Sequence, residues 1–110
     1  MGSIKKNILN FILFFILSLV FIRSLSAQEF SLTLSVFDSG SSEPLYGVTV
    51  LLDPCNCGGI TNTSGIFSKR LETNSYKLSV EYLGYKKENL TVNLNKNINL
   101  NLFMQIEEEQ

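Results

Sequence analysis

The chain has 110 residues, with 10 acidic and 9 basic side chains, no histidine and two cysteines. This length suits one small domain, and the charge argues against nucleic acid, whose binding depends on clustered Lys and Arg. Without histidine the usual general base is missing and Ser/His/Asp or Cys/His catalysis is impossible. We therefore expect no enzymatic activity and no cofactor.

The first 27 residues have the pattern of a secretory signal peptide. A lysine pair near the start precedes an apolar run over 8–22, and small residues follow it. We predict that 1–27 is a signal helix that is cleaved after Ala27, with cleavage after Ser26 as the alternative. The competing interpretation is a membrane anchor, because the run approaches the length of a short spanning helix.

The next segment predicts two strands joined by a loop. Residues 30–36 alternate apolar and polar side chains, as a strand does when it sends successive side chains to opposite faces. The loop 38–44 ends in Pro44, whose fixed φ prepares the following strand. Gly47 admits a sharp approach of the backbone, and the apolar run 48–52 predicts a strand that is covered on both faces.

The sequence Cys55-Asn56-Cys57 has several chemical interpretations. In an oxidising compartment the two cysteines could form a disulfide, and Pro54 before them favours the turned backbone that a bond across one residue needs. Free thiols are the alternative. A metal site needs about four ligands and redox motifs usually have two intervening residues, so metal or redox function fits less well. We predict no metal site.

A tight turn and two strands are predicted in the middle of the chain. Asn62 is suited to an Asx hydrogen bond and Gly65 to a left-handed backbone, and the alternating run 76–82 predicts another strand. Gly84 marks a bulge or tight bend. The core residues predicted here and in the next strand are Phe67, Leu78, Val80 and Val92. The residues predicted to define turns and fold are Pro44, Gly47, Asn62, Gly65, Phe67 and Gly84.

The last two strands are predicted over 90–94 and 98–102. The asparagines at alternate positions from 93 to 101 would line one polar face, which is solvated or, as the alternative, bonds sugar hydroxyls. We predict that the last strand is an unpaired edge and a docking surface for a partner strand. The residues of this candidate docking edge are Ile98, Leu100 and Leu102. Residues 104–110 contain three successive glutamates and are expected to be an acidic tail or linker.

Six or seven short strands of this kind predict an all-β fold, a small antiparallel β-sandwich over 28–103. Three sequence blocks stand out in this region, at 43–50, 59–67 and 76–85. In this order they resemble the carboxypeptidase regulatory-like domain. The resemblance covers about residues 30–103, and it implies a prealbumin-like sandwich of Greek-key type.

Two positions depart from the family pattern. The family usually has aspartate where this chain has Asn62, and either side chain can close the turn. The family prefers an apolar residue where this chain has Lys69, so the strand there is expected to fray, to bulge or to bury only the stem of the lysine.

The resemblance implies a non-enzymatic interaction module. The Leu-Gly-Tyr sequence at 83–85 is most familiar from the periplasmic N-terminal extension of SusC-like TonB-dependent outer-membrane receptors. We therefore expect an exported module, periplasmic or associated with the outer membrane, that belongs to a nutrient-uptake receptor and stops before the plug and barrel. The alternatives are a free-standing secreted carbohydrate- or protein-binding module and an accessory domain of a metallocarboxypeptidase.

The expected partners follow from these interpretations. They are another protein or the remainder of the receptor, with a glycan as a further candidate and the membrane only by association. Nucleic acid is not expected as a partner.

Overall fold

Two β-sheets and one helix make up the computed structural model of the chain, which describes residues 2–23 and 28–108. The helix α1 is Gly2–Arg23. The strands are β1 (Glu29–Asp38), β2 (Thr49–Asp53), β3 (Cys57–Ile60), β4 (Ile66–Glu72), β5 (Asn74–Glu81), β6 (Glu88–Leu94) and β7 (Ile98–Met104). The predicted cleavage sites after Ser26 and Ala27 lie outside the described residues. By length and hydropathy, the described residues contain no helix that could cross a membrane.

The strands form one sheet in the order β4-β1-β7 and a second in the order β3-β2-β5-β6. All neighbours in these sheets are antiparallel except β1 and β7, which are parallel. The last two strands are neighbours in the sequence but do not pair, because β6 lies in one sheet and β7 in the other. The prediction of a small all-β sandwich with six or seven strands is confirmed.

The core lies between the sheets and is built from the inward positions of each alternating run. Leu32, Leu34 and Val36 of β1 are fully buried, as the alternation over 30–36 predicts. The predicted core residues are all buried, and these are Phe67, Leu78, Val80 and Val92. Burial of side chains such as these supplies the main favourable free energy of folding.

Strand β2 differs from its prediction. The apolar run 48–52 indicated a strand covered on both faces, but Leu51 is 51% exposed. Val50 and Leu52 point inward and are buried, so β2 covers the core with one face only. The outer face of β2 is apolar but is exposed to solvent. The sequence of β2 alone does not show whether another element covers that face.

The end of the sandwich lies further along the chain than we predicted. Met104, which the sequence placed in the tail or linker, is the last residue of β7 and is fully buried. Ile106 forms a β-bridge with Tyr85, and the Glu107 amide donates to the Gly84 carbonyl at 2.9 Å. Residues 104–107 are therefore attached to the sandwich by core packing and backbone hydrogen bonds.

The turn before β4 has the geometry that its residue types predict. The Asn62 side-chain oxygen accepts hydrogen bonds from the amides of Ser64 and Ile66, at 2.9 and 3.0 Å. Gly65 has φ +75°, and a Cβ there would lie 2.7 Å from the Val36 carbonyl oxygen. Only glycine therefore fits this position without strain.

Gly47 is explained by its backbone angle and not by a close approach. Its φ is +82°, and a Cβ built there would have no atom within 4 Å. Pro44 forms an isolated bridge with Phe37, and the next residue, Leu45, donates its amide to the Val36 carbonyl at 2.9 Å. The chain thus returns along the end of β1 before β2 begins.

Candidate interaction surfaces

Strand β7 forms one edge of the three-stranded sheet. It pairs with β1 along its whole length, from Leu32 and Ile98 to Asp38 and Met104, and with no other strand in the described part of the chain. Its half-buried, inward-facing residues are Ile98, Leu100 and Leu102. Its exposed residues are Asn99, Asn101 and Phe103. An edge of this kind offers backbone N–H and C=O groups to another chain.

The other three edge strands are protected or short. Strand β4 carries Lys69, Arg70 and Glu72, strand β6 carries Glu88, and strand β3 has four residues. Charged side chains at an edge discourage the addition of a strand from another molecule. Among the strands that the structure describes, β7 is the edge that combines seven residues with no charged side chain.

Lys69 occupies an inward position of β4 without disturbing the strand. It pairs with Leu32 in the regular register and is half-buried between Phe67 and Leu71, which are both buried. The aliphatic stem of a lysine can cover apolar surface while its ammonium group reaches water. The regular register shows neither fraying nor a bulge at Lys69, and its partial burial fits the third expected outcome.

The asparagines do not share one face, which corrects our prediction. Asn93 is exposed on the four-stranded sheet and Asn99 on the three-stranded sheet, so they lie on opposite outer faces of the sandwich. Asn97 accepts a hydrogen bond from the Ser31 amide at 2.9 Å and ties the β6–β7 connection to β1. The asparagines of the last two strands therefore do not form one continuous row.

The turn between β2 and β3 contains a disulfide between Cys55 and Cys57. Cys55 is exposed, and Cys57 is half-buried opposite Leu52 in the β-ladder. Because the closed loop is short, the entropic stabilisation from this bond is small. Within residues 2–23 and 28–108, no group of three or more His, Cys, Asp or Glu side chains could hold a metal ion.

A hydrogen bond between side chains links the end of β1 to the connection between β5 and β6. The Tyr85 hydroxyl donates to Asp38 Oδ2 at 2.5 Å, and Asp38 Oδ1 accepts from the amides of Gly40 and Ser41 at 2.8 and 2.9 Å. The bond from Tyr85, followed by the two amide bonds, lowers the pKa of Asp38. The same bond raises the pKa of Tyr85, with burial as the second cause.

The turn over residues 82–85, which we call the Leu83 turn, lies beside this hydrogen bond. The Tyr85 amide donates to the Tyr82 carbonyl at 3.0 Å, and Gly84 has φ +88°. The rings of Tyr82 and Tyr85 meet edge to face with their centroids 5.6 Å apart. Leu83 at the tip is 98% exposed. The turn is therefore fixed by backbone and aromatic contacts while its apolar tip faces water.

Two features of the structure cannot be predicted from the local sequence, because they depend on residues that are far apart in the chain. Thr61 is fully buried, and its hydroxyl donates to the Leu45 carbonyl at 2.6 Å and accepts from the Val48 amide at 3.0 Å. The bond between Asp38 and Tyr85 joins residues 47 positions apart. The one local indication that Thr61 is buried is its position directly after the apolar Ile60. Nothing in the local sequence indicates the hydrogen bond between Asp38 and Tyr85.

The family comparison matches most of the sandwich. The model of the CarboxypepD_reg-like domain matches residues 35–110. No curated protein matches the chain.

Solved structures share the fold at low sequence identity. A 5-hydroxyisourate hydrolase from Klebsiella pneumoniae has a TM-score of 0.59 and 17% identity, over 72% of this chain and 92% of that chain. The group B streptococcus pilus 2b backbone protein has a TM-score of 0.58 and 15% identity, over 74% of this chain and 43% of that chain.

A chain of a type II cohesin–X-dockerin complex from Acetivibrio cellulolyticus has a TM-score of 0.57 and 12% identity. The match covers 68% of this chain and 56% of that chain. This chain thus spans about half of the pilus and cohesin–dockerin chains. At these identities the comparisons show a shared prealbumin-like or immunoglobulin-like β-sandwich and say nothing about activity.

Proposed function

The chain belongs to the carboxypeptidase regulatory-like (CarboxypepD_reg-like) domain family, and from that membership we propose that it is an exported, non-catalytic module that binds a protein partner. The chain has no histidine to act as a general base. The surface that supports partner binding is the edge of β7.

The observation that carries the proposal is that β7 is both uncharged and incompletely covered. Ile98, Leu100 and Leu102 face the interior but remain only half-buried. A strand added beside β7 would pair with its open backbone groups and would cover this apolar surface at the same time. Burial contributes roughly 25 cal/mol per Å² of apolar surface removed from water, and the backbone bonds fix the register.

In its finer form, the proposal makes the chain the periplasmic N-terminal extension of a TonB-dependent outer-membrane receptor for nutrient uptake. The remainder of the receptor would then supply the added strand, and the membrane would be reached only through the receptor. The Leu-Gly-Tyr sequence at 83–85 supports this assignment by resemblance. Lys5 and Lys6 before the apolar part of α1 support export.

The named similar structures agree with a protein partner more than with a glycan. One is part of a cohesin–X-dockerin complex and another is a pilus backbone protein. A glycan partner gains no support from the asparagines, because Asn93 and Asn99 lie on opposite outer faces.

A charge placed on the proposed docking edge tests the proposal. Asn101→Lys adds a charge to an exposed position of β7, and Asn93→Lys adds the same charge to an exposed position of β6. In a pull-down from periplasmic extract, we expect Asn101→Lys to reduce recovery of the partner about tenfold, a loss of about 1.4 kcal/mol in binding free energy. Asn93→Lys should retain the partner. Equal recovery by Asn101→Lys and the parent would reject docking at β7.

The receptor assignment has a separate test in the DNA. A reading frame that continues past codon 110 into a plug and barrel would support it. An isolated gene would favour a free-standing secreted module, and a zinc-peptidase frame would favour the accessory domain of a carboxypeptidase. Either result would remove the receptor assignment and leave the protein-binding proposal to the pull-down.

A further inference from the structure

The Leu83 turn presents a large apolar side chain on a rigid support. Leu83 is 98% exposed, so it adds almost nothing to the core. The turn beneath it is held by the hydrogen bond from the Tyr85 amide to the Tyr82 carbonyl and by the bond from the Glu107 amide to the Gly84 carbonyl. With these bonds in place, the turn holds Leu83 in water and away from the core.

Two grooves meet at Leu83. One has a volume of about 570 Å³ and is lined by Tyr82, Tyr85 and Thr49 among others. The other has a volume of about 490 Å³ and includes Gly84. Leu83 lines both grooves, so apolar side chains of a bound segment could lie on either side of it. Burial of an exposed leucine side chain against such a segment favours binding, because apolar surface is removed from water.

The charge at these grooves is negative. Glu81 in the first groove is paired with Lys87 at 3.0 Å, so these two charges largely cancel. Glu107 lines both grooves and Glu108 lines the second, and Lys86 lines a neighbouring hollow together with these two glutamates. The excess negative charge therefore lies directly beside the exposed leucine.

We propose that the Leu83 turn and its two grooves bind a basic segment of a partner protein, with apolar side chains beside Leu83 and Lys or Arg side chains against Glu107 and Glu108. Complementary charge favours such a segment and disfavours an acidic one. The fixed turn lowers the entropic cost of ordering the surface on binding. This surface is separate from the strand-addition edge at 98–102, so either proposal can fail without the other.

Matched peptides test this assignment with the full 110-residue chain. The probe is a fluorescein-labelled peptide of twelve residues in which Leu and Phe alternate with Lys, and its partner peptide has Glu at every Lys position. Fluorescence anisotropy should show at least tenfold tighter binding of the basic peptide, weakening as salt is added. Failure of the basic peptide to bind, or equal affinity for both peptides, would overturn the proposal.

Variants then locate the binding. Leu83→Ser should weaken binding of the basic peptide at least tenfold, and Glu107→Gln with Glu108→Gln should weaken it and reduce its salt dependence. Ile60→Ser is the control, because Ile60 is 60% exposed on β3 and lines neither groove. Since Leu83 is almost fully exposed, its replacement leaves the core intact. Unchanged affinity in Leu83→Ser, or an equal loss in Ile60→Ser, would place the binding elsewhere and reject the proposal.

Discussion

Strands β4 and β7 flank the same central strand, β1, yet they finish the sheet in different ways. Strand β4 buries Phe67 and Leu71, which are 6% and 7% exposed, and places Arg70 at its rim, paired with Glu29 at 3.2 Å. Strand β7 has no charge, and its inward residues Ile98, Leu100 and Leu102 are only half-buried, although Met104 at its end is fully buried. The sheet therefore has one edge strand with buried aromatic and aliphatic side chains and charges at its rim, and one uncharged edge strand that is less buried. This contrast indicates that stability depends more on β4 and that β7 is the edge available to a partner.

The largest effect is expected in β4. Phe67→Ala removes a buried aromatic ring and should lower the free energy of unfolding by about 3–5 kcal/mol. This is a large part of the roughly 5–15 kcal/mol that stabilises a typical domain. Urea unfolding measures the change, with Asn99→Ala on the exposed face of β7 as a control that should shift stability by less than about 0.5 kcal/mol. A Phe67→Ala variant as stable as the parent would contradict our description of β4.

The turn that leads into β4 should have the next largest effect. Asn62→Ala removes the acceptor of hydrogen bonds from the amides of Ser64 and Ile66, which should cost about 1–2 kcal/mol. Asn62→Asp keeps an acceptor oxygen in the same place and should stay close to the parent. Thermal melts of the two variants check this difference. Equal melting temperatures for Asn62→Ala and Asn62→Asp would show that the turn does not depend on these bonds.

A smaller loss is expected in β7. Leu100→Ala removes a side chain that is only half-buried, so the free energy of unfolding should fall by about 1 kcal/mol. The same urea measurement as for Phe67→Ala gives a direct comparison of the two edge strands. A loss as large as that of Phe67→Ala would mean that β7 is as tightly packed as β4, and the contrast between the two edges would disappear.

The smallest predicted effect is a dependence on pH at the end of β7, where Asp38 pairs with Met104. The pKa of Asp38 is lowered from 3.8 by the Tyr85 hydroxyl, so its contribution to stability is present above pH 3.8 and is lost as the pH falls further. The pKa of Tyr85 is raised from 10.0, so its contribution is present below pH 10 and is lost as the pH rises through the folded pKa.

The variant Tyr85→Phe tests the expected loss of stability at acid pH and at alkaline pH together. Melting curves from acid to alkaline pH should show the parent and Tyr85→Phe converging below pH 3.8 and above pH 10, with the parent more stable between these values. Melting curves that stay parallel at every pH would show that the hydrogen bond with Asp38 does not contribute to stability.

Local chemistry was sufficient for much of this molecule. The alternation over 30–36 identified the inward residues of β1, because the two-residue period of a strand is a property of the backbone alone. Asn62 and Gly65 identified their turn for the same kind of reason, since the Asx bond and the positive φ are formed within a few residues. The family resemblance added the order of the blocks and hence the sandwich.

The predictions that were wrong are those that depended on which other strands lie next to a strand or against its face. The outer face of β2 was predicted to be covered, but Leu51 is 51% exposed. The asparagines of the last two strands were predicted to share a face, but Asn93 and Asn99 belong to different sheets. The apolar pattern of one strand predicts which of its residues share a face. It does not predict which part of the molecule packs against that face.

The sequence by itself determined the β class, the inward residues, the tight turns and the absence of a histidine-based active site. Only the tertiary structure decided that β7 crosses to the other sheet and runs parallel to β1, that Tyr85 bonds to Asp38, and that Leu83 is left exposed between two grooves. The physical reason is the range of the interactions. Side-chain alternation and turn geometry are fixed within a few residues, whereas strand partners and exposed edges depend on contacts between residues that are far apart in the chain.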